Sequence, residues 1–134
     1  MNGINSKKNV FGQLAIVLHA HLPYVRKNEK NSLEEDWLFQ AILECYIPLI
    51  QAIESSKKEN PINTKLTVSL SPTLLSLLEN KQTKDIFPSW IKTRNDFLNE
   101  LPQEEKNASA FLIKNLNDKY KYWKKCSGNL IEKV

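Results

Sequence analysis

The sequence predicts an α/β unit in which two parallel strands flank a helix and further helices follow. Three observations carry that expectation. Leu14–Leu18 (LAIVL) and Leu66–Leu70 (LTVSL) are short apolar runs with β-branched residues, the pattern of strands buried on both faces of a parallel sheet. Between them, residues 33–54 repeat apolar side chains at helical spacing. Strand, helix and strand in that order make a right-handed crossover.

The elements follow in chain order. Residues 1–11 are polar and are expected to form a disordered tail, leaving 12–134 as the structured part. The first strand, near 12–18, runs into His19-Ala20-His21-Leu22-Pro23-Tyr24, where Pro23 ends any ladder. Residues 25–31 read as a polar loop. Ser32 and Glu35 have the spacing of a capping box and open a helix over 33–54. Its expected buried stripe is Leu38, Ala41, Ile42, Cys45, Leu49, Ala52 and Ile53, with Pro48 kinking or splitting the helix near Glu44. Residues 55–63 read as a linker and 65–70 as the second strand. Ser71-Pro72 is an N-cap followed by proline at the first helical position, which opens a helix over 72–79. Two more helices are expected near 84–100 and 104–126.

Two parallel strands need neighbours at their edges and cover on both faces. The sequence supplies no third candidate, so the expectation is the opening portion of something larger. With 134 residues, the chain has one domain's worth of material, against the roughly 250 of a complete (β/α)8 barrel. Its 41% hydrophobic and 25% charged residues are those of a globular chain. No apolar run reaches the ~18 residues of a membrane span, and the N-terminus lacks a secretory h-region, so a cytoplasmic protein without membrane contact is expected.

The net charge of +4 comes from 17 Lys and only 2 Arg, alongside 14 Asn and 11 Ile. That reads as compositional bias rather than selection for phosphate, which favours the planar fork of Arg. Lys119–Lys125 (KYKYWKK) interleaves bases and aromatics like a nucleic-acid strip. However, Leu112, Leu116, Tyr120, Trp123 and Leu130 fall at helical intervals, so an amphipathic helix is the preferred reading and no nucleic-acid partner is expected. Cys45 and Cys126 have no CxxC spacing and are expected to be free buried thiols.

Chemistry concentrates at the end of the first strand. His19 and His21, one residue apart on an extended backbone, point to the same side. They lie at the strand's C-terminal end, where parallel α/β folds place their sites. Two imidazoles there suit a metal, proton exchange or sugar hydroxyls, and equally a loop's own hydrogen bonding. Trp37 reads either as cover for the helix start or as a sugar-stacking platform, with Tyr24 nearby. Glu34, Glu35 and Asp36 suit the helix N-terminus and read as structural. No facing carboxylate pair, glycine-rich phosphate loop or GxSxG elbow is present.

The stretches Leu14–Arg26 (LAIVLHAHLPYVR) and Leu33–Ile42 (LEEDWLFQAI) resemble the opening of glycoside hydrolase family 57 enzymes, most of all the 1,4-α-glucan branching enzymes. Tyr46–Ile50, Leu70–Leu75, Trp123 and Gly128-Asn129-Leu130 are similar to the same enzymes, with 79–118 matching mainly in helical character. The resemblance implies a distorted (β/α)7 barrel, of which 12–134 is part of the N-terminal catalytic domain. It also implies retaining α-glucan transglycosylation in glycogen or starch metabolism, with an α-1,4 bond cleaved and an α-1,6 bond formed. His19, His21 and Trp37 match donor-sugar positions, so the metal-hydrolase alternative for the histidine pair recedes; no metal or other cofactor is implied. The family's nucleophile Glu and acid/base Asp match no residue of this chain, so no catalytic residue is assigned. The chain is expected to be inactive alone, with a second polypeptide one possible source of the remainder.

Overall fold

The computed structural model describes residues 14–24, 33–59 and 66–133. The expected tail over 1–11, the loop 25–31 and the Ser32 cap lie outside the described residues.

Two strands, β1 (Val17–Ala20) and β2 (Thr67–Leu70), pair in parallel. Val17 pairs with Thr67, Leu18 with Val68, His19 with Ser69 and Ala20 with Leu70. The ladder extends through Thr67 N–H to the Ile16 carbonyl (3.2 Å) and Ser71 N–H to the Ala20 carbonyl (3.0 Å). The first strand therefore lies further along the chain than its apolar run suggested, because pairing extends only where β2 runs beside it.

Burial of both strands on two faces does not hold. Leu14, Ile16, Val17 and Leu18 are exposed, Leu14 to 87%. In β2 only Val68 and Leu70 are half-buried. Together with Ala20, they face Tyr46, Leu49 and Ile50 across a cavity of about 30 Å³. The described helices thus cover one face of the sheet and leave the apolar side chains at the start of β1 in the open.

The helix after β1 comprises α1 (Leu33–Ala41), a π-helical turn (Ile42–Tyr46) and α2 (Ile47–Glu59). Pro48 explains the interruption. An uninterrupted α-helix would press its ring against the Glu44 carbonyl and leave that carbonyl without its donor. Instead Ile47 N–H bonds to the Ile42 carbonyl, five residues back, and the chain takes up one extra residue. The buried face then falls one position later than a regular helix allows. Leu38, Phe39, Ile42 and Leu43 are buried before the turn, and Ile47 and Ile50 after it. Cys45 and Ala52, expected inside, are exposed, and Leu49 and Ile53 are only half-buried. Cys45 is accordingly not a buried thiol, whereas Cys126 is. Helical structure also runs through Glu59, into the expected linker.

Ser71 caps α3 (Pro72–Glu79), accepting Leu74 N–H at 3.3 Å. Asn80 ends α3 and caps α4 (Lys81–Glu100) through Gln82 N–H at 2.8 Å, so α4 starts three residues before its expected position. A short 3₁₀ turn (Gln103–Glu105) leads into α5 (Lys106–Lys125), which packs on α4. Leu112, expected on the inner stripe of α5, is exposed.

The core centres on Phe87, fully buried, whose ring lies 5.3 Å from Phe39, 4.9 Å from Trp123 and 6.1 Å from Trp90. Such offset and tilted pairs add to what burial alone contributes. After α5 the chain reverses through Ser127 (φ 52°) and Gly128 (φ 70°), which brings Leu130 back into the core.

Candidate functional site

Strand alternation builds the site. Ala20 and Leu22 turn toward the core, Leu22 being 8% exposed, while His19 and His21 face out. The two imidazoles are nearly parallel, with centroids 6.3 Å apart and 10° between ring planes. His19 lies within β1 and His21 just beyond its C-terminal end. Sequence spacing anticipated that shared side.

Sequence reasoning did not single out Ser69. It lies opposite His19 on β2, with its hydroxyl oxygen 3.2 Å from His19 Nδ1. No sequence signal short of the strand register would have found it, since 50 residues separate the two.

Trp37 stands just past the first turn of α1 with 46% of its surface exposed, so it is not simply core cover. Among the described residues no ring contact joins it to either histidine. Tyr24 is 64% exposed. The structure therefore brings His19 and His21 together and leaves the two aromatics as free surfaces near the same stretch of sequence.

Of the three acids opening α1, Glu35 is buried and Asp36 is bonded to three side chains. Asp36 accepts Arg94 Nη2 at both oxygens, Trp90 Nε1–H at 2.7 Å and Gln40 Nε2–H at 3.3 Å. Arg94 in turn lies 5.1 Å over the Trp90 ring. The first turn of α1 is thereby tied to the middle of α4.

Two larger open cavities flank the helices. One, about 480 Å³, lies between the π turn, α4 and α5 and includes Glu44, Trp90, Phe97 and Lys119. The other, about 420 Å³, lies between α1 and α4 around Asp36 and Arg94. No histidine lines either of these two, and both imidazoles are exposed.

Among the described residues no three His, Cys, Asp or Glu side chains come together as metal ligands. The aromatics of the basic stretch in α5 are engaged inward: Trp123 is 9% exposed and stacks on Tyr120 at 6.0 Å. Lys124 Nζ lies 4.7 Å over the Tyr120 ring, and Lys119 Nζ donates to Gln51 Oε1 at 2.8 Å. No described helix is long and apolar enough to cross a membrane.

Parallel α/β folds place their sites at the C-terminal ends of strands, which is where the imidazole pair lies. The profile of Glycosyl hydrolase family 57 matches residues 15–134, and the chain belongs to that family. It is 32% identical over 127 residues to a 1,4-alpha-glucan branching enzyme of Thermococcus kodakarensis, covering 92% of this chain and 18% of that protein. A probable 1,4-alpha-glucan branching enzyme of Mycobacterium tuberculosis is 27% identical over 86 residues, 64% of this chain and 16% of its own length. Among solved structures, the branching enzyme of Pyrococcus horikoshii superposes with a TM-score of 0.78 at 35% identity, over 91% of this chain and 24% of that one. The alpha-amylase AmyC of Thermotoga maritima gives a TM-score of 0.75 at 27% identity, again over 91% of this chain and 24% of that one. The chain spans about a sixth of the length of the curated relatives it matches.

Proposed function

We propose that this chain supplies one wall of the donor-sugar site of an α-glucan branching enzyme. The observation that carries the reading is the His19–His21 pair, turned outward together at the end of a parallel strand in a chain of this family. Imidazole nitrogens donate to and accept from sugar hydroxyls, and the exposed indole of Trp37 offers a flat face to the apolar side of a pyranose. The two strands are then the first of a distorted (β/α)7 barrel, with 12–134 part of its catalytic domain, acting in the cytoplasm in glycogen or starch metabolism.

Retaining transfer from an α-1,4 to an α-1,6 bond needs a nucleophile and an acid/base roughly 5–5.5 Å apart across the scissile bond. In this reading both come from sequence outside 1–134, on the same or a second polypeptide. No cofactor is required. The chain alone binds glucan and does not transfer it.

Binding is tested by titrating the purified chain with maltoheptaose and following imidazole and indole resonances. Shifts at His19, His21 and Trp37, each weakened by alanine at that position, are expected. Incubation with amylose is expected to leave no new α-1,6 linkages on debranching analysis; linkages above a protein-free control would overturn the assignment of the carboxylates elsewhere. Stoichiometric zinc on the purified protein would favour a metal hydrolase at the histidine pair. Salt-dependent retention on nucleic acid would favour a role for 119–125.

A further inference from the structure

We infer that Ser69 is a positioning residue for His19: its hydroxyl donates to His19 Nδ1, holds the ring as the Nε2–H tautomer and presents Nε2–H outward as a donor to a sugar hydroxyl. The sugar contact rests on the function proposed above; the tautomer control does not.

The register makes the two side chains neighbours. His19 and Ser69 pair directly across the parallel ladder, where strands lie about 4.8 Å apart and paired side chains share a face. The serine oxygen lies 3.2 Å from Nδ1, the ring nitrogen nearer the backbone. Among the described residues Nε2 carries no hydrogen bond, and His19 is exposed.

The strand end carrying Ser69 is braced. Two residues on, Ser71 gives its N–H to the Ala20 carbonyl at 3.0 Å, while its hydroxyl caps α3. Ser69 is thus held against β1 from the side of its own helix cap.

The direction of the bond is the inferred part, and proton bookkeeping states what it entails. A hydroxyl is both donor and acceptor, and neutral imidazole has one nitrogen of each kind. Nδ1 is the ring nitrogen that meets the Ser69 hydroxyl among the described residues, and donation by that hydroxyl requires an unprotonated Nδ1. Ligand-facing Nε2 then keeps the hydrogen. Among the described residues no serine bonds to His21, whose ring lies nearly parallel to that of His19 at 6.3 Å. His21 is the internal control.

The test uses the full chain with ¹⁵N-labelled histidine and long-range ¹H–¹⁵N spectra at about pH 8.5, where imidazoles are ordinarily neutral. The wild type should show His19 more strongly biased to Nε2–H than His21. Ser69→Thr keeps the hydroxyl and Ser69→Val removes it with nearly the same shape, and both β-branched residues suit a strand. Valine should reduce the His19 tautomer ratio about three- to fivefold, the worth of one modest hydrogen bond, with His21 unchanged. Threonine should preserve it. Equal His19 ratios in the two variants, or an Nδ1–H majority in the wild type, would overturn the inference. A maltoheptaose-induced shift at His19 Nε2 present with threonine and lost with valine would extend it to the ligand. Tautomer control with no maltoheptaose shift in any form would uphold the positioning and sink the sugar-contact reading instead.

Discussion

Asp36 on α1 holds both of its carboxylate oxygens on a single guanidinium nitrogen of Arg94, 58 positions downstream on α4, with 2.6 Å to Oδ2. The Trp90 indole N–H completes the cluster at Oδ1. Asp36 sits on the first turn of α1, where the helix dipole favours its charge, and its sequence neighbour is Trp37. One carboxylate therefore joins the candidate sugar platform to the aromatic core around Phe87.

Replacing that carboxylate has a definite expected cost. Asp36→Ala strands the indole N–H and the guanidinium, and should lower stability by about 1–3 kcal/mol in urea unfolding. Asp36→Asn, which retains an acceptor for Trp90, should cost about half as much. Because Arg94 is 39% exposed, the ionic part should shrink in high salt. Equal losses for Ala and Asn would show that charge alone matters here.

The π turn is tested by the two cysteines. It turns Cys45 outward and leaves Cys126 inside. A thiol reagent should label Cys45 on the folded chain within the time of mixing, and Cys126 only after denaturant is added. A regular helix through Pro48 would protect both.

Gly128→Ala tests the reversal after α5. A Cβ there would lie 2.7 Å from Trp123 Cζ2, on a backbone at φ +70° that disfavours any side chain. The expected loss is about 1–3 kcal/mol, with a change in tryptophan emission as the Trp123 ring gives way. An unchanged urea midpoint would mean that the reversal takes another form.

Alkaline stability should depend on Tyr122. Burial pushes its phenol up from the ordinary value of 10.0, and the nearby Glu54 carboxylate and Cys126 thiol add to the rise. Tyr46 shifts the same way, through burial first and then Cys45. The fold thus favours the protonated phenol, and the unfolded chain gives up its proton first. Stability is intact below the unfolded value and falls as pH rises through and beyond it. Tyr122→Phe should flatten that decline between about pH 10 and 11.5 in urea midpoints, with little change at neutral pH. An identical decline in the variant would contradict the assignment.

Short-range patterns carried much of the outcome. Apolar runs marked both strands, Ser71-Pro72 marked a helix start, and the one-residue gap between His19 and His21 placed both rings on one side. Each follows from the geometry of a few consecutive residues, which chain chemistry dictates locally. Tertiary structure decided the rest. Pro48 announced an interruption, but only packing selected the π turn and moved burial from Leu49 to Ile50. Asp36 met Arg94, and Ser69 met His19, because helices and strands distant in sequence took one particular register. Exposure of Leu14 and Val17 was likewise hidden, since an apolar run states what a strand can bury, while cover depends on whatever packs against it. Periodicity is local, whereas register and cover are sums over long-range contacts that no window of sequence contains.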